Sequence, residues 1–240
     1  MDWGTRGVEE AAKRGDIIIV VDVLSFSTTT TTAIHHNAII YPFNKYDDPA
    51  DFAKSLDADV AFSRKDAKES GGISLSPNSF TEDQNGKKII LPSPNGSACS
   101  ALSEGATALL IGCFLNVSSV AKVAEELQKK TNMAITVIAC GERWSVTKEL
   151  RTAIEDYLGA GAILSKLSGS KSPEADVCTR TFQSCMPDLE KLIWDSGSGR
   201  ELRERGFEDD VTYSLKLDAL TEVPILSKES PKFFRNYYSL

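Results

Sequence analysis

The run from Asp16 to Thr32 constrains this chain more than any other stretch. Ile17-Ile-Ile-Val-Val21 is continuously apolar, the carboxylate Asp22 ends it, and Val-Leu-Ser-Phe-Ser27 leads into five consecutive threonines. A short apolar run without polar alternation reads as a strand buried on both faces, the kind found inside α/β sheets. A polar strand end followed by a helix places Asp22 where open α/β sheets bind ligands, at the carboxyl edge. Threonine is a mediocre helix former, so its repetition points to packing or a site rather than propensity.

The rest of the chain repeats the alternation. A helix from Trp3 to Arg14 closes at Gly15. Strands are expected over 17–24, 38–43, 59–62, 87–91, 108–113 and 134–140, and helices over 27–36, 49–56, 98–103, 117–129 and 148–167. Residues 64–84, polar and containing Gly71-Gly72, read as a long loop. Beyond Gly169 the pattern is mostly helical (174–185, 188–194, 199–205 and 208–217), with a late strand at 222–226. The expected class is α/β: a mixed, largely parallel sheet flanked by helices on both faces, with a mostly helical C-terminal part. Residues 1–240 read as a single domain, with a possible subdivision near 168–173.

Composition excludes several functions. The net charge of -7 argues against broad binding to nucleic acid or anionic membrane. No apolar stretch is long enough to cross a membrane, and no signal-peptide core follows Met1, so a cytoplasmic protein is expected. The five cysteines, Cys99, Cys113, Cys140, Cys178 and Cys185, contain no C-x-x-C pair, so neither a zinc site nor a disulfide framework is indicated. His35 and His36 share no metal-ligand spacing with other residues and read as structural or surface groups.

Three strand ends carry unusual polar sequences: Asp22-Val-Leu-Ser-Phe-Ser-Thr28, Pro92-Ser-Pro-Asn-Gly-Ser97 and Cys140-Gly-Glu-Arg143. A parallel sheet would bring all three to one edge. Asn95-Gly96 permits a tight turn and Ser97 can cap the next helix, which describes either an ordinary strand-to-helix turn or an anion cradle. Glu155 and Asp156 project about 100° apart on the helix that follows Arg151, so one can face a site while the other meets a partner. Arg143 and Arg200 are candidates for binding anionic oxygens, with surface ion pairing as the alternative. Cys140 is either an inert core thiol or a nucleophile, and a nucleophile would need a base that the sequence does not supply nearby.

At Val21-Asp-Val-Leu-Ser-Phe-Ser-Thr-Thr29, Ser93-Pro-Asn-Gly-Ser-Ala98, Ile111-Gly-Cys-Phe-Leu-Asn-Val117, Glu155-Asp-Tyr-Leu-Gly-Ala-Gly-Ala162 and Ser198-Gly-Arg-Glu-Leu-Arg-Glu-Arg-Gly-Phe-Glu-Asp-Asp-Val211, the chain resembles the 2-phosphosulfolactate phosphatase family over nearly its whole length. The resemblance implies a Mg²⁺-dependent acid phosphatase on an α/β fold of its own, acting in a route to coenzyme M. The implied substrate is small and carries a phosphate, a carboxylate and a sulfonate. The expectation is then that Asp22, Glu155 and Asp156 hold Mg²⁺ as hard oxygen ligands. Ser25, Ser27, Thr28, Asn95, Gly96, Ser97, Arg143 and Arg200 would bind substrate. With no well-placed histidine, the general acid or base falls to a carboxylate, and Asp22, Glu155 and Glu142 are the candidates. Two departures bear on specificity: relatives often carry Arg where this chain has Ser25, and Phe62-Ser-Arg-Lys65 and Ile73-Ser-Leu-Ser-Pro77 match the family poorly. A phosphatase of altered specificity and a non-catalytic binder of an anionic metabolite remain alternatives, and a homo-oligomer is possible.

Overall fold

The computed structural model describes residues 1–239. The apolar Ile17–Val21 run is a strand buried along its whole length, with Ile135–Ala139 and Ala108–Ile111 as parallel neighbours. Asp2–Trp3 extends this group beyond Ile135–Ala139, also in parallel. A second parallel group contains Ile39–Asn44, Lys88–Ser93 and Asp59–Val60. The antiparallel pair Pro224–Leu226 and Phe234–Asn236 joins the two groups, bonding to Ala108–Ile111 on one side and to Ile39–Asn44 on the other. The result is one nine-stranded mixed sheet. The expected α/β class holds, and its helices cover both faces.

Alternation along the central strand divides the interior in two. Ile17, Ile19 and Val21 face a core shared with Val120 and Val123 of the Val117–Thr131 helix, Leu158 and Ile163 of the Ile154–Lys166 helix, and Cys178 and Phe182 of the Pro173–Cys185 helix. Leu189, Ile193, Leu202 and Val211, from the three short helices that follow, join the same core. Residues 168–173 therefore form a turn between helices that pack on common neighbours. Ile18 and Val20 face the other core, with Val8 of the Gly4–Lys13 helix, Phe26 and Ile34 of the Phe26–His35 helix, and Cys99 of the Gly96–Ala101 helix.

Three antiparallel pairings in succession reverse the strand direction, so the two parallel groups run oppositely. In a flat sheet the carboxyl ends of Ile17–Val21 and Lys88–Ser93 would lie on opposite edges. They meet instead: the Gly96 N–H lies 2.8 Å from Asp22 Oδ2. The sheet curls around the Phe26–His35 and Gly96–Ala101 helices, each of which touches strands of both groups. The expectation that three strand ends share one parallel edge is corrected here. Asp22 and Cys140 do share an edge, whereas Asn95 and Gly96 arrive from the reversed group.

The threonine helix is the post around which the sheet curls. Residues 26–34 are all buried. Burial of hydroxyls is costly without partners, and most find one: Thr28 Oγ1 donates to the Val23 carbonyl, Thr29 Oγ1 to that of Leu75 and Thr32 Oγ1 to that of Thr28, each at 2.8 Å.

Two boundaries differ from expectation. Residues 64–84 contain a helix, Arg64–Ser70, whose N-cap Ser63 accepts the Asp66 N–H, and two 3₁₀ turns, Pro77–Ser79 and Glu82–Gln84. The expected 148–167 helix begins only at Ile154, because Leu150–Arg151 pairs with Glu142–Arg143 as a short hairpin and Lys148 takes a left-handed conformation. The strands Asp2–Trp3 and Phe234–Asn236 are too short to signal themselves in the sequence.

Gly96 is required where the reversed group meets Asp22, since a Cβ there would sit 2.1 Å from Phe26 Cδ1. Gly96→Ala is expected to cost about 1–3 kcal/mol by overpacking, read as a lower midpoint of thermal unfolding. An unchanged midpoint would show that this approach is not tight.

Candidate functional site

Asp22 is 5% exposed. Its Oδ1 accepts the Phe26 N–H at 3.2 Å and its Oδ2 the Gly96 N–H at 2.8 Å. One carboxylate thus joins the starts of two helices, where the helix dipoles favour negative charge. Asp156, also buried, binds the N–H groups of Val23 at 2.7 Å and Gly141 at 2.8 Å. It ties together the ends of the two parallel strands that carry Asp22 and Cys140. Glu155 precedes it on the helix and is equally buried. Glu142, on the short hairpin, accepts from Asn95 Nδ2 at 2.9 Å.

Four carboxyl groups therefore share a small buried volume, and their acidities reflect it. Burial raises Asp22 to about 6, the charge on Glu155 adds to the effect, and the Phe26 and Gly96 N–H groups oppose it. Burial and then the charge on Asp22 push Glu142 up to about 7, against the Asn95 amide. Glu155 and Asp156 are raised as well, chiefly by burial. Desolvation disfavours each carboxylate and neighbouring carboxylates compound it, while the charges of Arg64 and Arg151 oppose it.

The group opens on a cavity of about 150 Å³ lined by Asp22, Ser25, Ser93, Asn95, Glu142 and Ser198, with Lys45, Arg64 and Arg205 as its cations. Lys45, Arg64 and Arg205 also line an adjoining cavity of about 750 Å³ whose walls include Phe62 and Phe207. An acidic protein thus presents a cationic mouth over a carboxylate floor, an arrangement that concentrates anions locally.

Arg64 is the residue that sequence reasoning missed. Its Nη2 donates to Ser25 Oγ at 2.6 Å and to the Leu75 carbonyl at 2.9 Å, and its Nε pairs with Asp210 at 3.2 Å. Asp210 is fixed in turn by Ser76 and Asn78, and Phe207 lies under the guanidinium at 5.6 Å. The segment 62–80 is therefore a wall of the site, and at Ser25 the structure places a guanidinium delivered from a different helix. The Ser63-x-x-Asp66 spacing, an N-cap signature, is the signal that would have revealed that helix.

The other expected binding residues divide. Asp22, Ser25, Asn95 and Glu142 line the cavity together, and Gly96 supplies the N–H already described. The hydroxyls of Ser27, Thr28 and Ser97 do not reach it: they donate to the carbonyls of Val20, Val23 and Leu91 and hold local structure. Arg143 donates to the Lys148 carbonyl and lines a separate 150 Å³ cavity on the far side of Glu142. Arg200 is exposed and lies outside the Asp22 cavity, which takes Arg205 from the same stretch instead. Of the expected metal set, Asp22 lines the cavity, Glu155 lies buried against Ser198, and both oxygens of Asp156 are turned to the Val23 and Gly141 N–H groups. Among the described residues, no three Asp, Glu, His or Cys side chains close around one point as a metal cage.

Cys140 is 3% exposed, and burial and the neighbouring Cys99 hold its thiol well above the ordinary range. His35 and His36 pair with Glu222 and Glu82 instead. A thiolate nucleophile has no base here.

Among the described residues, no helix is long and apolar enough to cross a membrane. Residues 5–229 match the family model described as 2-phosphosulpholactate phosphatase. The 2-phosphosulfolactate phosphatase of Methanocaldococcus jannaschii is 28% identical over 232 residues, covering 93% of this chain and 94% of that protein. A probable 2-phosphosulfolactate phosphatase of Carboxydothermus hydrogenoformans is 30% identical, over 86% of this chain and 84% of its own. A further probable member from Caldanaerobacter subterraneus is 28% identical over 87% of each chain. With the model match spanning nearly the whole sequence and the same strand ends forming the cavity, the chain belongs to the 2-phosphosulfolactate phosphatase family.

Proposed function

We propose that the chain hydrolyses the phosphate monoester of a small acid, with 2-phosphosulfolactate, the compound in its relatives' names, as the first substrate to test. The observation that carries this reading is the pairing of buried carboxyls, Asp22 and Glu142, with three cations across one cavity of about 150 Å³. Arg64, Arg205 and Lys45 hold the anionic groups of the substrate. Arg64 is fixed by Asp210, so its guanidinium is oriented before substrate arrives, and little ordering is needed on binding. Glu142, raised to about 7, keeps a proton at mildly acidic pH and gives it to the ester oxygen as that oxygen leaves. Asp22, raised to about 6, ionises first and can orient water or receive its proton. Two carboxyls with separated acidities divide the acid and base roles.

Mg²⁺ fits the donor set, because several buried carboxyls whose pKa values are raised by burial and by one another stand close together. Mg²⁺ commonly uses one or two carboxylates and completes its shell with water and phosphate oxygens, so no protein cage is required. Asp22 and Glu155 would hold it. When bound, the ion supplies charge neutralisation to the phosphoryl group and the attacking water. The five free thiols, four of them buried, accord with a reducing cytoplasmic setting.

Phosphate release from a panel of phosphorylated three-carbon acids, with and without Mg²⁺, tests the reading; no release from any of them would leave only a binding protein. Asp22→Asn is expected to lower kcat by about 100-fold or more while circular dichroism shows a folded chain. The value of kcat/KM is expected to fall as pH rises through about 7, where Glu142 loses its proton. Glu142→Gln removes that limb along with about 100-fold of the rate. A limb that persists in this variant would assign the acid elsewhere.

Stability should follow the same groups. In the unfolded chain these carboxyls lose their protons near pH 4, whereas the folded protein keeps those of Asp22 and Glu142 to about 6 and 7. The folded state binds more protons between these values, so stability falls as pH rises from about 4 through 7. The metal-free protein is expected to melt at a higher temperature at pH 5.5 than at pH 8. Mg²⁺ is expected to raise the midpoint at pH 8, and to do so less in Asp22→Asn. No response to Mg²⁺ at pH 8 would remove the ion from the proposal.

A further inference from the structure

The 750 Å³ cavity shares Lys45, Arg64, Leu75, Pro94 and Arg205 with the cavity over Asp22, so the two are continuous. Pockets that enclose a small molecule measure about 300–1,000 Å³ and are lined mainly by apolar side chains. The 150 Å³ cavity falls below that range, and its walls are mostly polar. It has room for a reacting group and little more. The larger cavity falls within the range, and Ala61, Phe62, Leu75, Pro92, Pro94 and Phe207 give it an apolar wall.

The two aromatic side chains of that wall are held in place. The Phe62 N–H donates to the Ile73 carbonyl at 2.8 Å, and its ring lies against Gly72, where a Cβ would come within 2.5 Å of Phe62 Cδ2. Even so, Phe62 is 52% exposed, so much of a fixed phenyl ring stays in water beside the cavity. Covering it with an apolar ligand is favourable. The Phe207 N–H donates to the Leu202 carbonyl at 3.0 Å, and its ring carries Arg64 at 5.6 Å and Lys68 at 5.7 Å. Around these rings Lys45, Arg64, Lys65, Lys68 and Arg205 stand against one acid, Glu69. The cavity therefore suits a ligand that is apolar in part and negatively charged as a whole. Fixed phenyl rings beside cations favour an aromatic group over an alkyl chain of similar size.

We propose that the 750 Å³ cavity is a subsite for an aromatic group of the substrate, which is the phosphate monoester of a hydroxy acid bearing such a group. The phosphate lies over Asp22, the carboxylate meets Arg64, Arg205 and Lys45 where the cavities join, and the ring rests against Phe62 and Phe207. The inference rests on the phosphatase reading and deepens it by naming the part of the substrate that the small cavity leaves out. The walls concerned come from Phe62-Ser-Arg-Lys65 and Leu75, the two stretches in which this chain departs from the family pattern. Phe62 is then a specificity-determining residue.

The test uses a matched pair of probes, the phosphate esters of lactate and of 3-phenyllactate, which differ only by the phenyl ring. Each is measured with the full-length protein as kcat/KM for phosphate release and as the rise in melting temperature on adding the ester. The parent is expected to favour the phenyl ester about ten-fold or more in kcat/KM, the scale of burying one ring, and to show the larger rise in melting temperature with it. Phe62→Ala is expected to bring both preferences close to parity, whereas Phe62→Tyr, which keeps the ring, preserves them. The ratio of the two esters is read within each protein, so a general loss of activity or stability does not imitate the effect. A parent that treats the esters alike or favours the lactate ester overturns the subsite, as does a preference that survives Phe62→Ala. If the parent releases phosphate from both esters at the same rate, the subsite alone fails and the phosphatase reading stands. If no ester releases phosphate, yet the phenyl ester raises the melting temperature more and does so through Phe62, the subsite stands and the phosphatase reading fails.

Discussion

The bond on which the rest depends is the one from the Gly96 N–H to Asp22 Oδ2. It is a charge-assisted contact between two parts of the sheet that run in opposite directions. Charge-assisted hydrogen bonds are stronger than neutral ones, and this one shares its carboxylate with the Phe26 N–H. Because two helix starts converge on one acid, the curl of the sheet and the location of the site have a common origin. Removing the charge would loosen both, which is why substitutions at Asp22 need a check of folding beside the rate.

The four clustered carboxyls follow from this geometry. Asp22 lies where the strand ends meet, Asp156 clamps the neighbouring strand ends through the Val23 and Gly141 amides, Glu142 lines the cavity, and Glu155 is buried beside Ser198. The cluster is unfavourable for folding at neutral pH, since each acid resists ionisation beside the others. Proteins commonly carry such unfavourable charge where chemistry requires it. The cations across the cavity come from segments distant in sequence, and the rigid Arg64–Asp210 pair holds one of them in place.

Much of the α/β order was legible because each buried strand is a run of Ile, Val and Leu bounded by polar residues, and because helical patterns fall between the runs. Asp22, Asn95 and Glu142 were legible as polar residues at strand ends. Their meeting was anticipated for the wrong reason, since nothing local announces that a hairpin near residues 224–236 reverses the strand direction. Ser27, Thr28 and Ser97 were misleading because a hydroxyl at a strand end has the same sequence signature whether it faces a ligand or a carbonyl. Arg64 was hidden inside a polar stretch whose conformation depends on Asp210, 146 residues away. Arg200 and Arg205 sit in the same helix and turn, and only its rotation against Leu202 decides which of them reaches the cavity.

The joining hairpin also bears on how the molecule is made. Pro224–Leu226 and Phe234–Asn236 are the only link, among the described strands, between the two parallel groups. Every other strand of the sheet precedes them in the chain. During synthesis, the strand edges at Ala108–Ile111 and Ile39–Asn44 therefore stay unpaired until these residues leave the ribosome. Bare apolar edges invite pairing with other chains. A nascent protein cut short before residue 224 would carry Asp22, Gly96 and Glu142 yet lack the seam that closes the sheet around them, so chaperones would meet it as two open edges.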